Sequence, residues 1–291
     1  MGAPDPPAQA QSHVLVVLDS CRYDTFMRAA PRRILALGEP ERRFSYATWT
    51  APAHYNLLMG LLPHRNPPGR FAADTYREDL SRQGERLGMP GLDFSQMLPG
   101  LFLPSFLRDT LGYHTQAIVS MPVINPATPL NRGFDQYHLM DTHHDFSGIL
   151  DKLRFYSGRP SFTLLNLGET HYPYTWQGAE DHSPLPVLSG LHGVVKNLEK
   201  RLQHGEAVHA SEAPAFFSTE QMEALHRRQV EAVGAVDALF EELYDLVPPG
   251  TTITVTADHG ELFGEGGFFG HGPISHEKVL EVPFVEGRIR D

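Results

Sequence analysis

The sequence contains almost no cysteine and no long hydrophobic run. Its 291 residues include one cysteine, Cys21, so an intramolecular disulfide is impossible and nothing points to an oxidising compartment. The apolar run Val14–Leu18 has only the length of a strand, whereas a membrane-spanning helix needs about 20 apolar residues. Residues 1–11 lack the basic and apolar segments of a secretory signal. We therefore expect a cytoplasmic protein without a membrane partner, and a flexible tail over residues 1–11.

Positive charge is scarce as well. Lysine and arginine number 24 against 35 aspartate and glutamate residues, which gives a net charge of −11. Such a chain lacks the basic surface with which nucleic-acid-binding proteins neutralise phosphates, so no nucleic-acid partner is expected. An anionic substrate would have to be held by a metal ion or a few local cations, because the overall field repels it. The hydrophobic content of 41% suffices for a large core, and we predict a single α/β domain over residues 12–291.

Three apolar segments that are typical of buried strands end in polar residues. The segments and the residues that follow them are His13–Leu18 with Asp19, Thr252–Thr256 with Asp258 and His259, and Ser161–Leu167 with Glu169 and His171. In an open α/β sheet, ligands bind at the carboxyl ends of the strands. The pattern therefore predicts that these polar side chains share one edge of a parallel sheet.

The other segments are typical of scaffold. The clearest helix is Ser218–Val247, where Ser218 and Gln221 form a capping-box pattern before an apolar stripe at helical spacing. Residues 63–100 and 172–217 show little periodicity, and we interpret both as insertions. The second insertion is expected to pass over the site and to set substrate choice. The remaining predicted elements are the helices Arg22–Leu37 and Phe102–Leu111 and the strands His114–Ser120 and Val282–Val285.

Taken singly, the candidate site residues admit a structural and a functional interpretation. Asp258 and His259 are either two ligands of a divalent cation or a helix N-cap beside a surface histidine. Asp19 is either another ligand or the cap of the next helix. Thr50 lies near the start of a helix whose first turn suits Pro52. Its hydroxyl is therefore either an N-cap or a nucleophile next to a cation.

A set of motifs occurs in a fixed order along the chain. The most specific motif is D-H-G-E at residues 258–261. The others are D-S-C-R-Y-D (19–24), T-A-P-A-H (50–54) with L-L-M-G-L-L-P-H (57–64), N-x-x-T-P-L-N-R-G-F-D (125–135) and H-Y-P-Y (171–174). Together, in this order, they resemble the alkaline phosphatase/sulfatase superfamily, and specifically its sulfatase-like branch. The resemblance implies a three-layer α/β/α sandwich around a mixed, mostly parallel central sheet.

The same resemblance implies a metal site. Asp19, Asp258 and His259 match the family's metal ligands, and Thr50 stands where the family keeps its nucleophile, in contact with the metal. The family's second acid after the first strand is replaced by Ser20. Because an oxygen ligand is lost and an imidazole is present, we expect one divalent ion, zinc or manganese in preference to calcium or magnesium.

Histidines supply the other implied roles. His171 and His271 resemble the family's substrate-facing histidines, which hold ester oxygens or protonate the leaving group, and both are expected to be catalytic as well as substrate-binding. His54 replaces an arginine of the family pattern and is expected to bind substrate. A second metal ion is an open alternative that would use Glu169, His171, His271 and His276, with His143, His144 or His182 as further candidates. The last three, like His204 and His209, are otherwise expected at the surface.

The predicted function is hydrolysis of a phosphate monoester or diester of a small anionic molecule, through a covalent phosphothreonine at Thr50. A threonine cannot mature to formylglycine, so the usual sulfatase mechanism is not expected. The metal pattern is closest to single-metal phosphotransferases such as lipoteichoic acid synthases and phosphoethanolamine transferases, which are membrane-anchored. Two alternatives remain, namely a phospho- or sulfo-group transferase and a non-catalytic binding protein with the same fold.

Overall fold

Strands and helices alternate along much of the chain. A computed structural model describes residues 5–65, 72–92, 102–179, 217–272 and 274–290. The strands are β1 (His13–Leu18), β2 (Glu41–Phe44), β3 (His114–Val119), β4 (Gln136–Leu139), β5 (Ser161–Leu167), β6 (Thr252–Thr256), β7 (Leu262–Phe263), β8 (Phe269–Gly270) and β9 (Glu281–Arg288). The α-helices are α1 (Tyr23–Ala29), α2 (Arg32–Leu35), α3 (Thr50–Leu58), α4 (Ala72–Arg86), α5 (Leu103–Leu111), α6 (Phe146–Lys152), α7 (Thr219–Ala238), α8 (Phe240–Leu246) and α9 (Glu277–Leu280).

Strand β1 lies at the centre of a seven-stranded sheet with the order β2-β9-β6-β1-β5-β3-β4. It pairs in parallel with β5 and β6, and β3 pairs in parallel with β4 and β5. Strand β9 is antiparallel to both of its neighbours, so the sheet is mixed but mostly parallel, as predicted. Leu18 is in register with Leu167, and Val17 with Thr256. The carboxyl ends of β1, β5 and β6 therefore lie side by side.

Each face of the sheet has its own hydrophobic core. Val14, Val16 and Leu18 point to one face and pack with buried residues of α1, α2, α6, α7 and α8. Leu15 and Val17 point to the other face and pack with α3, α4 and α5. This alternation is the period-two pattern of a strand that is buried on both sides. The predicted three-layer α/β/α sandwich is confirmed.

The prediction of one continuous helix over Arg22–Leu37 is wrong. The chain forms two short helices, α1 and α2, because Pro31 has no backbone N–H to donate and Ala30 adopts a left-handed conformation with a φ of 46°. The N-cap residue of α1 is Arg22. Asp19 is therefore not a helix cap.

The capping box predicted at the start of the longest helix is confirmed. The backbone N–H of Gln221 donates to the Ser218 hydroxyl at 3.3 Å, and the Ser218 N–H donates to the Gln221 side chain at 2.8 Å. The helix is divided at Leu239 into α7 and α8.

The first predicted insertion contains regular structure in its described part. Within residues 72–92, α4 spans 15 residues and contributes Leu80 to the second core. The backbone carbonyl of Arg86, at the end of α4, accepts a hydrogen bond from the hydroxyl of Thr252 at the start of β6. This end of α4 therefore lies at the edge of the sheet opposite the carboxyl ends of the parallel strands.

Other predicted segments are described only in part. Residues 180–216 of the second insertion lie outside the described residues, and so do His182, His204 and His209. In the predicted tail, the Gln11 N–H donates to the carbonyl of Leu87 at 3.0 Å. Among the described residues, no helix combines the length and the apolar composition needed to cross a membrane, and cellular location stays a prediction.

Candidate active site

Asp19, Asp258 and His259 come together at the carboxyl ends of β1 and β6. Each offers a ligand atom, and these atoms lie within 4.8 Å of one another. All three residues are buried, and His259 is completely inaccessible to solvent. The alternative that His259 is a surface histidine is therefore wrong. A buried Asp/Asp/His cluster fits a divalent metal site.

The Asp258 carboxylate is held on one side only. Its Oδ1 atom accepts hydrogen bonds from the backbone N–H groups of Ser20, at 3.1 Å, and His259, at 3.0 Å. Ser20 has a φ of 61°, a left-handed conformation that is uncommon for a residue other than glycine. The Oδ2 atom of Asp258 is buried, has no hydrogen-bond partner among the described residues and lies 3.3 Å from the His259 Nε2. Because burying an unpaired carboxylate oxygen is costly, this atom fits a metal ligand.

Asp19 is oriented by neighbours on two loops and a strand. Its Oδ2 accepts from the side-chain amide of Asn166 at 2.9 Å, and its Oδ1 accepts from the Ser20 hydroxyl at 3.2 Å. The backbone carbonyl of Asp19 accepts from the Thr170 hydroxyl at 2.7 Å. Hydrogen bonds of this kind fix the orientation of metal-ligating carboxylates.

The electrostatics of the cluster also favour a cation. Burial raises the pKa of Asp258 to about 7. Burial and the neighbouring Asp258 raise the pKa of Asp19, because two carboxylates at one site repel each other. Burial and the nearby His271 lower the pKa of His259 to about 3, so its imidazole is neutral at physiological pH. A neutral imidazole is the form that binds metals.

Thr50 is the first residue of α3, and its side chain is buried beside the cluster. The hydroxyl oxygen lies 3.3 Å from the His259 Nε2. The N-cap residue of α3 is Trp49, so the alternative that Thr50 serves as the N-cap is wrong. Its hydroxyl thus lies at a helix N-terminus, where unpaired backbone N–H groups favour anions, and within contact distance of a candidate ligand.

His271 and His171 lie next to the cluster. The His271 ring is 4.3 Å from the His259 ring and 5.4 Å from the His171 ring, measured between centroids. The Nδ1 of His271 lies 3.1 Å from a carboxylate oxygen of Glu261, whose other oxygen accepts from the Tyr174 hydroxyl at 2.5 Å. The structure therefore brings both predicted substrate-facing histidines to the site.

His54 is placed behind the cluster. It is fully buried, and its Nδ1 donates to the carbonyl of Thr50 at 2.8 Å, one helical turn earlier. Its Nε2 lies 3.4 Å from the Asn166 amide nitrogen. Burial lowers its pKa. Its predicted contact with substrate stays a prediction.

The residues suggested for a second metal ion do not gather at one point. Glu169 accepts from the backbone N–H of Phe146 at 2.7 Å, and His276 accepts from the Lys278 N–H at 3.1 Å as the cap of α9. Among the described residues, the cluster of Asp19, Asp258 and His259 is the one group whose ligand atoms lie close enough for an ion. His143 and His144 are half-buried, not exposed as expected.

Several residues at the site were not predicted from the sequence. Asn166 bonds to Asp19, Glu261 bonds to His271, and the Ser45 hydroxyl donates to the backbone carbonyl of Asp258. Gln229 of α7 donates to the carbonyls of Ser20 and Thr170, at 2.9 Å in each case. A signal existed for Asn166, which interrupts an otherwise apolar strand end, and for Glu261, which belongs to the D-H-G-E motif.

Comparisons with known proteins identify the fold. No family model matches the sequence, and no curated protein matches it. Among solved structures, the zinc complex of the periplasmic domain of EptC from Escherichia coli shares 14% identity over 99% of this chain and 76% of that domain, with a TM-score of 0.54. The 2-O GAG sulfatase BT1596 shares 13% identity over 96% of this chain and 64% of its own, with a TM-score of 0.54.

A third structure has a similar relation to this chain. The integral membrane phosphoethanolamine transferase EptA from Neisseria meningitidis shares 14% identity with this chain, with a TM-score of 0.53. The match spans 99% of this chain but only 49% of EptA. The protein thus has the α/β fold that these structures share, with the mixed, mostly parallel central sheet that the motifs predicted.

Proposed function

We propose that this protein is a metal-dependent enzyme that cleaves a phosphate ester of a small molecule by attack of the Thr50 hydroxyl. The observation that supports the proposal most is the convergence of Asp19, Asp258, His259 and Thr50 around a buried carboxylate oxygen that has no partner among the described residues. These residues come from three separate elements, and packing alone does not explain why two buried acids should meet.

The donor set suits one divalent ion. Asp19, Asp258 and His259 would hold it, with the Thr50 hydroxyl beside it, and a mixture of oxygen and nitrogen donors favours zinc or manganese over calcium. When bound, such an ion lowers the pKa of a neighbouring alcohol and offsets negative charge on the ester. The metal identity is part of the proposal.

The side chains then divide the reaction between them. The Thr50 hydroxyl gives up its proton to solvent, and its oxygen forms a bond to phosphorus while the bond from phosphorus to the leaving oxygen breaks, which gives a phosphothreonine. The N-terminus of α3 favours the phosphate oxygens. His271 donates a proton to the leaving oxygen, and His171 binds a non-bridging oxygen. Water then attacks phosphorus and gives a proton to His271, while the bond from phosphorus to the Thr50 oxygen breaks and that oxygen takes a proton from solvent.

Transfer to an alcohol is the second candidate. The same phosphothreonine would react with an acceptor hydroxyl instead of water. One structural neighbour supports this alternative, because EptA is named as a phosphoethanolamine transferase. The zinc in the EptC structure bears on the proposed metal and not on the acceptor. Both candidates share the first half of the reaction, so one experiment tests their common step.

The test is to trap the covalent intermediate. The metal-loaded protein is mixed with 4-nitrophenyl phosphate, bis(4-nitrophenyl) phosphate or 4-nitrophenyl sulfate, quenched in acid and analysed by peptide mass spectrometry. We expect phosphate on Thr50 and turnover of a phosphate ester. Thr50→Ala should lower turnover by at least about 1,000-fold, as loss of a nucleophile does, while the metal still binds.

Thr48→Ala is the matched control, since it removes a half-buried hydroxyl two residues away and should leave turnover near that of the wild type. Near-full activity of Thr50→Ala would contradict the proposal, and so would preferential turnover of the sulfate ester. Adding glycerol separates the two candidates, because only a transferase converts a large share of the intermediate to glycerol phosphate.

A further inference from the structure

A cavity of about 340 Å³ lies beside the candidate active site, on the side of the sheet covered by α6 and α7. This volume lies within the range of small-molecule sites. Apolar and polar groups both line it, among them Glu169, His144, Trp176, Gln177, Val236 and Leu239. None of these residues belongs to the proposed metal cluster.

Glu169 is the polar group that distinguishes this cavity from a packing defect. It is only 2% exposed. Its Oε1 accepts from the backbone N–H of Phe146 at 2.7 Å, whereas its Oε2 is buried without a partner in the described part of the chain. The Nδ1 of His144, on another wall of the cavity, is also buried and unpartnered there. Buried polar atoms are normally paired, so two unpaired atoms at one cavity point to a ligand.

The charge around the cavity selects the kind of ligand. Asp145 lies close enough to Glu169 that its charge raises the pKa of the Glu169 carboxyl, in addition to the larger effect of burial. The guanidinium of Arg228 lies over the Trp176 ring, 5.4 Å from its centroid, and its Nε donates to the carbonyl of Tyr174. An anion would meet the Glu169 carboxylate here, whereas an ammonium group would pair with the Glu169 oxygen that lacks a partner in the described part of the chain.

The remaining walls suit a short apolar body. Val236 and Leu239 present aliphatic side chains and Trp176 an aromatic one, and indole rings also attract cations. From the unpaired carboxylate oxygen, the acidic surroundings and these apolar walls, we infer that the cavity is a second binding site. Its ligand is a small organic cation with a primary ammonium group.

The inference does not depend on the proposed enzymatic function, and binding tests it directly. The chain has two tryptophans, so in a Trp49→Phe variant Trp176 is the single fluorescent indole. This protein is titrated with n-butylammonium chloride at pH 8, above the pKa of about 7 that burial gives Glu169. We expect a saturable fluorescence change, and at least tenfold weaker binding of 1-butanol, which has the same length and no charge.

Substitutions at opposite walls give two independent checks. Glu169→Gln keeps an acceptor for Phe146 and should weaken n-butylammonium binding at least tenfold. Glu231→Gln removes the same charge from the exposed face of α7 and should leave binding unchanged. Ala235→Leu fills the cavity from the α7 side and should abolish binding without altering Glu169.

Thermal unfolding shows which variants are folded. The inference is overturned if 1-butanol binds as tightly as n-butylammonium, if no saturable change occurs, or if folded Glu169→Gln binds like its parent. Retained binding in Ala235→Leu also overturns it. Should Glu169→Gln not fold, the alcohol comparison and Ala235→Leu still decide the question.

Discussion

Polar side chains are buried at both ends of strands β1 and β6, but the buried acids have different partners at the two ends. At the amino ends, His13 donates from Nε2 to the Thr254 hydroxyl at 3.0 Å, and Thr254 donates to Glu286 at 2.7 Å. Glu286 in turn pairs with Arg86 at 2.5 Å. At the carboxyl ends, Asp19 and Asp258 meet, and no arginine or lysine of the described residues pairs with either carboxylate.

The pKa values express this difference. Burial favours a higher pKa for Glu286, but Arg86, Thr254 and His13 together hold the pKa below its ordinary value. Burial raises the pKa of Asp258 to about 7, although the backbone N–H groups of Ser20 and His259 and the nearby His171 act in the opposite direction. One edge is therefore neutralised by its own side chains and stabilises the fold. The other edge is neutralised only by a proton or an added cation, as a metal site requires.

The largest effect is expected from a substitution in the cluster of Asp19, Asp258 and His259 at the carboxyl ends of the strands. Asp258→Asn removes a charged ligand, so affinity for zinc or manganese should fall by more than about 100-fold, beyond the cost of losing a supporting hydrogen bond. Competition with a chromophoric chelator measures it. Asp245→Asn, on the exposed face of α8, is the matched control and should bind metal normally. Equal affinities in all three proteins would exclude Asp258 as a ligand.

The same substitution gives a pH-dependent effect in the metal-free protein. The Asp258 pKa is 3.8 in its ordinary state and about 7 in the fold, so the folded protein binds a proton more tightly. This contribution to stability is complete below about pH 4 and is lost as the pH rises to 7. The lowered pKa of His259 acts in both proteins and largely cancels in their difference.

Wild type should therefore lose stability relative to Asp258→Asn as the pH rises from 4 to 7, by at most about 1.4 kcal/mol per pH unit. Urea unfolding of chelator-treated protein at several pH values checks this, and adding metal to the wild type should remove the slope. A pH-independent difference would mean that Asp258 is already compensated by another group.

Breaking the amino-end network should act on stability alone. Arg86→Met leaves Glu286 without its closest partner and should destabilise the fold by about 1–3 kcal/mol. The cost is below that of a fully buried pair, because the side chain of Glu286 is 18% exposed and Arg82 lies 3.7 Å away. Denaturant unfolding measures it, with Arg82→Met as the milder control. Metal affinity should be unchanged in both variants, and a large loss would show that the two edges are coupled.

The sequence was sufficient to predict where side chains that directly follow a buried strand would lie. Asp19, Asp258 and His259 each follow an apolar strand, and parallel strands place their carboxyl ends together. The motifs added Thr50 and His271, which the structure places beside His259. Their placement was predictable because it follows from local patterns and sheet geometry, and the roles of these residues stay predictions.

Residues whose role depends on a distant partner were not predictable in this way. Gln229 joins two turns that are 150 residues apart in the chain, and nothing in the pattern of α7 separates it from a surface glutamine. The break between α1 and α2 was missed because the prediction extended the helix across Pro31. Asn166 is visible in the sequence as a polar residue in an apolar strand, but its partner, Asp19, could be identified only from the structure.

The smallest predicted effect at the carboxyl ends of the strands concerns Asn166, which orients Asp19. Asn166→Ala removes the donor to Asp19 and should lower metal affinity by about tenfold. It also removes the side-chain acceptor for the Ser120 and Met121 N–H groups, so stability should fall as well. Thr163→Ala on the same strand is the control, since it removes a buried hydrogen bond with Gln116 that is remote from the cluster. If Thr163→Ala weakened metal binding as much as Asn166→Ala, the effect would reflect the strand's general stability. A loss confined to Asn166→Ala assigns it to the orientation of Asp19.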